Sequence, residues 1–322
     1  MAIVWILLGL VALIAGGEMI VRGGTHVAVR FGVPPIIIGL TIVSVGTSTP
    51  ELAVGIEAAQ RGNGALAVGN IAGTNTVNLL LILGLSALFR PLALGLQTLR
   101  FDLPTMSVVA LGFLFMSWDG ALTRVDGLVM VACGVFYTLA IIYLALRENS
   151  VAQAEFAEEY AKPVRVSPVT ETVLSVVALL VGLVVIVLGS DWLVDGAVSL
   201  ARSMGVSEAL IGLTIVAIGT SSPELVTTII GTLRNDRDIA IGNLLGSSIY
   251  NVLIILGLTC VVSPQPVPVE PELIKIDIPV MTAATLACIP VFLTARRVSR
   301  IEGGLLFGAY LVYLAYLVTI RV

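Results

Sequence analysis

Two glutamates stand out as the residues best placed to do chemistry. Glu51 ends the run Gly46-Thr47-Ser48-Thr49-Pro50-Glu51, and Glu224 ends Gly219-Thr220-Ser221-Ser222-Pro223-Glu224. Each lies well inside an apolar stretch, and no Lys or Arg lies at comparable depth. A carboxylate at bilayer depth costs at least about 2.5–3.5 kcal/mol, so each needs protonation or a bound cation. The proline before each Glu removes a backbone N–H and clashes with the carbonyl four residues back, here Gly46 and Gly219. Carboxylate, hydroxyl and freed carbonyl together form a set of hard oxygens. Such donors suit Ca²⁺, Mg²⁺ or Na⁺ rather than soft metals. The charge of −2 balances one Ca²⁺ or two Na⁺.

A second layer of polar residues follows each motif. Gly69-Asn70-x-x-Gly73-Thr74 matches Gly242-Asn243-x-x-Gly246-Ser247. Thr74 and Ser247 precede Asn78 and Asn251 by four residues, so each pair shares a helix face and offers neutral oxygens. Packing and interhelical hydrogen bonding are the plainer roles for these small and amide residues. Other acids rank lower. Glu18 is expected to pair with Arg22 on one helix face, Asp191 and Asp195 sit at the outer end of a span, and Glu57 lies on a different face from Glu51. His26 is read as part of a connection. Cys133, Cys260 and Cys288 are scattered in apolar runs, which disfavours zinc, copper or a disulfide framework.

The elements that must position these residues are membrane spans. The chain has 322 residues, of which 57% are hydrophobic and only 12% charged. A soluble domain of this size needs more polar surface, and disorder requires the opposite composition. A net charge of −4 with no basic stripe makes nucleic acid an unsuitable partner. A span needs about 20 mostly apolar residues. The spans read as 2–21, 34–59, 66–88, 101–118, 125–146, 172–194, 208–232, 238–262, 276–294 and 301–320. The first lacks a basic n-region and is read as a mature span, not a signal peptide. Twelve of the 17 basic residues fall on connections that alternate onto one face. That face is therefore cytoplasmic, with both termini outside and the linker 147–171 inside.

The chain also repeats itself. Residues 39–52 (GLTIVSVGTSTPEL) and 212–225 (GLTIVAIGTSSPEL) agree at 11 of 14 positions at an offset of 173. The same offset aligns 69–85 with 242–258 and Glu18 with Asp191. The expected fold class is an all-α integral membrane protein, with ten transmembrane helices in two inverted five-helix repeats, 1–146 and 172–322. An odd number of spans per repeat inverts the second relative to the first. This is an architecture of secondary transporters, with the site at the repeat interface near the midplane.

The paired GTSTPEL and GTSSPEL, followed by GNxxGT and GNxxGS, resemble the alpha repeats of the sodium/calcium exchanger family. The resemblance spans essentially the whole chain. It implies that Glu51 and Glu224 ligate Ca²⁺ with the backbone carbonyls of Thr47 and Thr220. It places Ser48, Ser221, Thr74 and Ser247 beside Na⁺ positions, the carbonyls of Ser44 and Ala217 nearby, and Asn78 and Asn251 at the centre. It makes spans 1 and 6 a gate that slides across the other eight. Departures are Thr74-Asn75 and Ser247-Ser248 where relatives often carry Ser-Asn, and Asn251 where many carry Asp. The absence of Asp at these central positions argues against K⁺ cotransport, and the Gly-Thr-Ser-Thr-Pro form favours Na⁺ coupling. The implied function is Na⁺/Ca²⁺ antiport that exports Ca²⁺ across a prokaryotic plasma (inner) membrane. No cofactor and no obligatory protein partner are implied; the partners are Ca²⁺, Na⁺ and the lipid bilayer. The rivals are a Ca²⁺/H⁺ antiporter on the same scaffold, an intramembrane enzyme using the glutamates as acid and base, and a channel. The enzyme reading lacks a nucleophile or metal motif.

Overall fold

Backbone N–H and C=O groups in hydrocarbon must pair within the segment, so apolar runs of this length become helices. The computed structural model describes residues 2–62, 64–147, 168–204, 217–294 and 296–320, and it is nearly all helical. The helices are α1 Ala2–Phe31, α2 Pro35–Thr47, α3 Thr49–Gln60, α4 Leu66–Phe89, α5 Thr98–Asp119, α6 Arg124–Leu144 and α7 Thr170–Ser203. They continue with α8 Ala217–Thr220, α9 Ser222–Arg234, α10 Arg237–Val262, α11 Leu273–Leu293 and α12 Arg300–Ile320. Among the described residues, eight helices are long and apolar enough to span a membrane alone, and α2 with α3 forms a ninth, bent by 44°. The expected seventh span, 208–232, is described only from Ala217 onward, and most of the linker 147–171 lies outside the described residues.

Two helices outrun their expected spans. α1 has 30 residues and carries His26 within it rather than in a connection, and α7 continues to Ser203 past Asp191 and Asp195. The polar residues at 18–26 and 191–195 therefore lie within these helices and do not end them.

The two long helices pack antiparallel along a glycine seam. Gly9, Gly16 and Gly23 recur every seven residues, as do Gly182, Gly189 and Gly196. A Cβ on Gly9 would meet the Leu193 backbone N at 2.6 Å, and one on Gly189 would meet that of Leu13 at 2.8 Å. The helices therefore touch backbone to backbone. The α1–α7 pair has a hydrophobic cluster of its own around Leu13, Ile20, Leu179 and Ile186, shared with Ile38, Val43 and Ile239. A separate, larger cluster joins α4, α5, α6, α10, α11 and α12.

Other contacts occur in matched pairs. β1 Leu92–Ala93 pairs with β4 Arg297–Val298, and β2 Ala121–Leu122 with β3 Val267–Pro268, both antiparallel. Tyr137 Oη donates to the buried Asp102 at 2.9 Å, and Tyr313 Oη to Asp277 at 2.6 Å. Arg124 donates to the Ser263 carbonyl at 3.0 and 3.1 Å, and Arg300 to that of Phe89 at 3.3 Å. The ribbons and both Arg contacts join one half of the chain to the other.

Burial is inverted relative to a soluble protein. Phe115, Phe136, Ile301 and Val312 are exposed on the outside, while Ser48, Glu51, Asn78, Glu224 and Asn251 are fully enclosed. Apolar surface of that extent is stable when lipid covers it.

Candidate ion-binding site

Proline dictates the local backbone at the centre. α2 ends at Thr47, and Ser48 leaves helical geometry at φ −85°, ψ 14°. Ser221 does the same between α8 and α9 at φ −85°, ψ 5°. Pro50 and Pro223 then sit in the first turn of the following helix, where a missing N–H is tolerated. Glu51 and Glu224 fall in that same first turn, where the helix dipole favours negative charge. The freed carbonyl of Gly219 is not left bare: Ser190 of α7 donates to it at 2.8 Å, and Ser222 donates to Ser190 at 3.0 Å.

The two motifs meet across the halves. Ser48 Oγ donates to Glu224 Oε1 at 3.0 Å and lies 3.2 Å from Ser247 Oγ, which is itself 3.5 Å from the same Oε1. Thr47 Oγ1 donates to Asn243 Oδ1 at 3.1 Å. Asn75 Nδ2 donates to the Ser248 carbonyl at 2.9 Å, and Asn251 Nδ2 donates to Asn75 Oδ1 at 3.0 Å. Asn75 and Ser248 are themselves 173 apart, so this bond joins aligned positions of the two halves.

Several of these atoms lack partners. Both carboxylate oxygens of Glu51, Glu224 Oε2, both polar atoms of Asn78 and Asn251 Oδ1 are buried with no hydrogen-bond partner among the described residues. Orphaned buried carboxylate oxygens are costly, and among the described residues no basic side chain pairs with them. Nowhere among the described residues do three His, Cys, Asp or Glu side chains come together. The charge available to a cation here is therefore limited to the two glutamates.

The remaining expected residues are placed as follows. Ser44, Thr74 and Ser221 are buried, and Thr220 is half-buried. The Ser44 carbonyl already accepts the Ser48 N–H at 3.1 Å and Thr47 Oγ1 at 3.3 Å. Ala217 opens α8, and its side chain is outside the described residues. Glu18, Glu57 and Asp191 stay away from the centre; Glu57 pairs with Arg61 at 2.7 Å. Sequence reasoning missed Asn75, Asn243 and Ser190. The repeated Gly-Asn pair was a signal for Asn243, whereas Ser190 aligns with Gly17 and gave none. It also missed the π-helical turns Val77–Ile82 and Asn251–Leu256, which hold Asn78 and Asn251 and are a common feature of functional sites.

A profile of the sodium/calcium exchanger protein family matches residues 1–143 and 174–319. The chain belongs to the sodium/calcium exchanger family. It is 36% identical over 318 residues to inner membrane protein YrbG of Escherichia coli, covering 97% of this chain and 95% of that one. It is 28% identical over 341 residues to sodium/calcium exchanger MaX1 of Methanosarcina acetivorans, covering 97% of each. Its fold matches a solved structure of the sodium-calcium exchanger NCX_Mj with a TM-score of 0.83 at 26% identity over 98% of both chains. This exchanger-family chain is thus an integral membrane protein of a cation-exchanging lineage.

Proposed function

We propose that the chain is a Na⁺/Ca²⁺ antiporter working by alternating access, with Ca²⁺ leaving the cell as Na⁺ enters. One observation carries this reading: two fully buried glutamates from opposite halves, with unpartnered oxygens and no basic partner among the described residues. Glu51 and Glu224 would bind Ca²⁺ with the carbonyls of Thr47 and Thr220. Ser48, Ser221, Thr74 and Ser247 would border the Na⁺ positions, with the carbonyls of Ser44 and Ala217 nearby and Asn78 and Asn251 completing the centre. Ca²⁺ and Na⁺ then compete for the same −2 charge. A site emptied of cations holds two uncompensated carboxylates, which cannot be occluded cheaply in a low dielectric. The empty carrier therefore does not change sides, and exchange is coupled. Binding of more than two Na⁺ makes the cycle electrogenic.

The scaffold of this reading is ten spans in two inverted repeats, 1–146 and 172–322, joined by a cytoplasmic linker at 147–171, with both termini outside a prokaryotic plasma membrane. The matched contacts between the halves support the repeat. The backbone-to-backbone glycine seam of α1 and α7 supports their moving as a unit against the rest.

The test uses purified protein in liposomes loaded with Na⁺ and diluted into Na⁺-free buffer containing labelled Ca²⁺. Uptake that follows the outward Na⁺ gradient is expected. Uptake indifferent to Na⁺ but driven by an imposed pH gradient would overturn the coupling ion and leave the Ca²⁺/H⁺ reading. Undiminished uptake by Glu51→Gln would overturn the site.

A further inference from the structure

The buried face of α9 carries hydroxyls where its counterpart carries none. Its buried residues beyond the break are Glu224, Thr227, Thr228, Gly231 and Thr232, which are the i, i+3, i+4, i+7 and i+8 positions of one stripe. The corresponding stripe on α3 is Glu51, Gly55, Ala58 and Ala59. Threonines in helices of this protein usually turn the hydroxyl back to the carbonyl four residues earlier, as Thr76, Thr138, Thr232, Thr259, Thr282 and Thr285 do at 2.7–2.9 Å. Thr227 and Thr228 do not. Both are 0% exposed, and both hydroxyls lack any partner among the described residues.

A third such hydroxyl lies on a helix that packs against α9. Ser86 of α4 is 0% exposed and equally without a partner. The offset of 173 carries Gly55 to Thr228 and Ser86 to Thr259. A Cβ on Gly55 would lie 2.6 Å from Thr259 Oγ1, and the helices of the other pair, α9 and the Leu83–Phe89 end of α4, likewise pack together. The register thus sets Thr228 against Ser86. Three enclosed hydroxyls that bond neither to their own helices nor to each other need an outside donor or acceptor. Neutral oxygens without a carboxylate suit a weakly held monovalent cation with its water, not a Ca²⁺.

We propose that Thr227, Thr228 and Ser86 form a transit site for hydrated Na⁺, one helical turn from Glu224 toward the Arg234 end of α9. The inference rests on the cation-exchange reading for its role, but not for its existence. The half-chain asymmetry makes the site serve one side of the membrane only.

Two measurements test it. Crystals soaked in Tl⁺, a Na⁺ surrogate with anomalous scattering, are expected to show a peak among the three hydroxyls that Thr228→Val removes and Thr228→Ser retains. In liposomes, Thr228→Val and Ser86→Ala are each expected to weaken the apparent Na⁺ affinity at least threefold from the Arg234 side, leaving the opposite side and the Ca²⁺ affinity unchanged. Tl⁺ at the glutamates with none among the hydroxyls would overturn the site, as would equal shifts from both sides. Wild-type protein with no Na⁺-driven flux would overturn the exchange reading, while the Tl⁺ peak would still decide the site.

Discussion

At the residue scale, the central glutamates are held by unequal surroundings. Glu224 receives Ser48 and lies near Ser247, whereas both oxygens of Glu51 are unpartnered. Replacing either carboxylate by an amide halves the negative charge available to a divalent ion, and ligand charge count tunes Ca²⁺ affinity over orders of magnitude. Glu51→Gln and Glu224→Gln are each expected to weaken Ca²⁺ binding by roughly a hundredfold or more, read by isothermal titration in detergent. Protons compete for the same oxygens, so Ca²⁺ flux at fixed Na⁺ gradient is expected to fall as pH is lowered in the wild type. Asn75 bridges the halves, bonding both Ser248 and Asn251. Asn75→Ala strands the Asn251 amide in a dry interior and is expected to cost about 1–3 kcal/mol, measured as a lower unfolding midpoint of the detergent-solubilised protein.

At the element scale, two devices shape the helices. Proline breaks place each Glu at a helix start, and glycine seams let α1 and α7 touch along their length. A side chain at Gly16 would meet the Ile186 backbone N at 2.7 Å and the Gly182 carbonyl at 2.9 Å. Gly16→Val must therefore push the pair apart, at about 1–3 kcal/mol for overpacking, and the expected readout is a lower thermal midpoint together with slower exchange. The break in the second half is held by Ser190, and the aligned residue in the first half is Gly17. Ser190→Ala leaves the Gly219 carbonyl without its donor, at about 1–3 kcal/mol. The expected consequence is easier separation of α7 from α8, seen as faster hydrogen exchange at the break.

At the scale of the whole molecule, the halves share their motifs but differ in how their ends are tied. Glu18 of α1 pairs with Arg22 and with Arg234 of α9, and Thr25 donates to Asp236 at 3.3 Å. Burial raises Asp236 above the ordinary aspartate range, opposed by the Thr25 bond and by Arg234 and His26. At the aligned positions, Asp191 and Arg61 are not joined, because Arg61 is taken by Glu57. A partly exposed pair of this kind adds no more than about 1 kcal/mol to stability. Glu18→Gln is thus expected to leave the thermal midpoint nearly unchanged while altering the ratio of Na⁺ affinities measured from the two sides. A reporter fused after Val322 is expected to read as external; a cytoplasmic reading would reverse the orientation.

Much of this was legible in the residues. The membrane-spanning helices, the duplicated motif and the isolated glutamates follow from composition, period and offset, and the family from the resemblance carried by the paired motifs. Hydrocarbon forces every apolar run into helix, and an unpaired carboxylate in such a run is conspicuous. What only the tertiary structure decided lies between helices: that Ser48 of one half reaches Glu224 of the other, that Asn75 bonds Ser248 across the halves, that Ser190 caps a freed carbonyl, and that the Thr227 and Thr228 hydroxyls go without a partner among the described residues. Local sequence sets the backbone of each span, but which side chain crosses to which neighbour depends on packing register over some 170 residues of separation. No local period encodes that register.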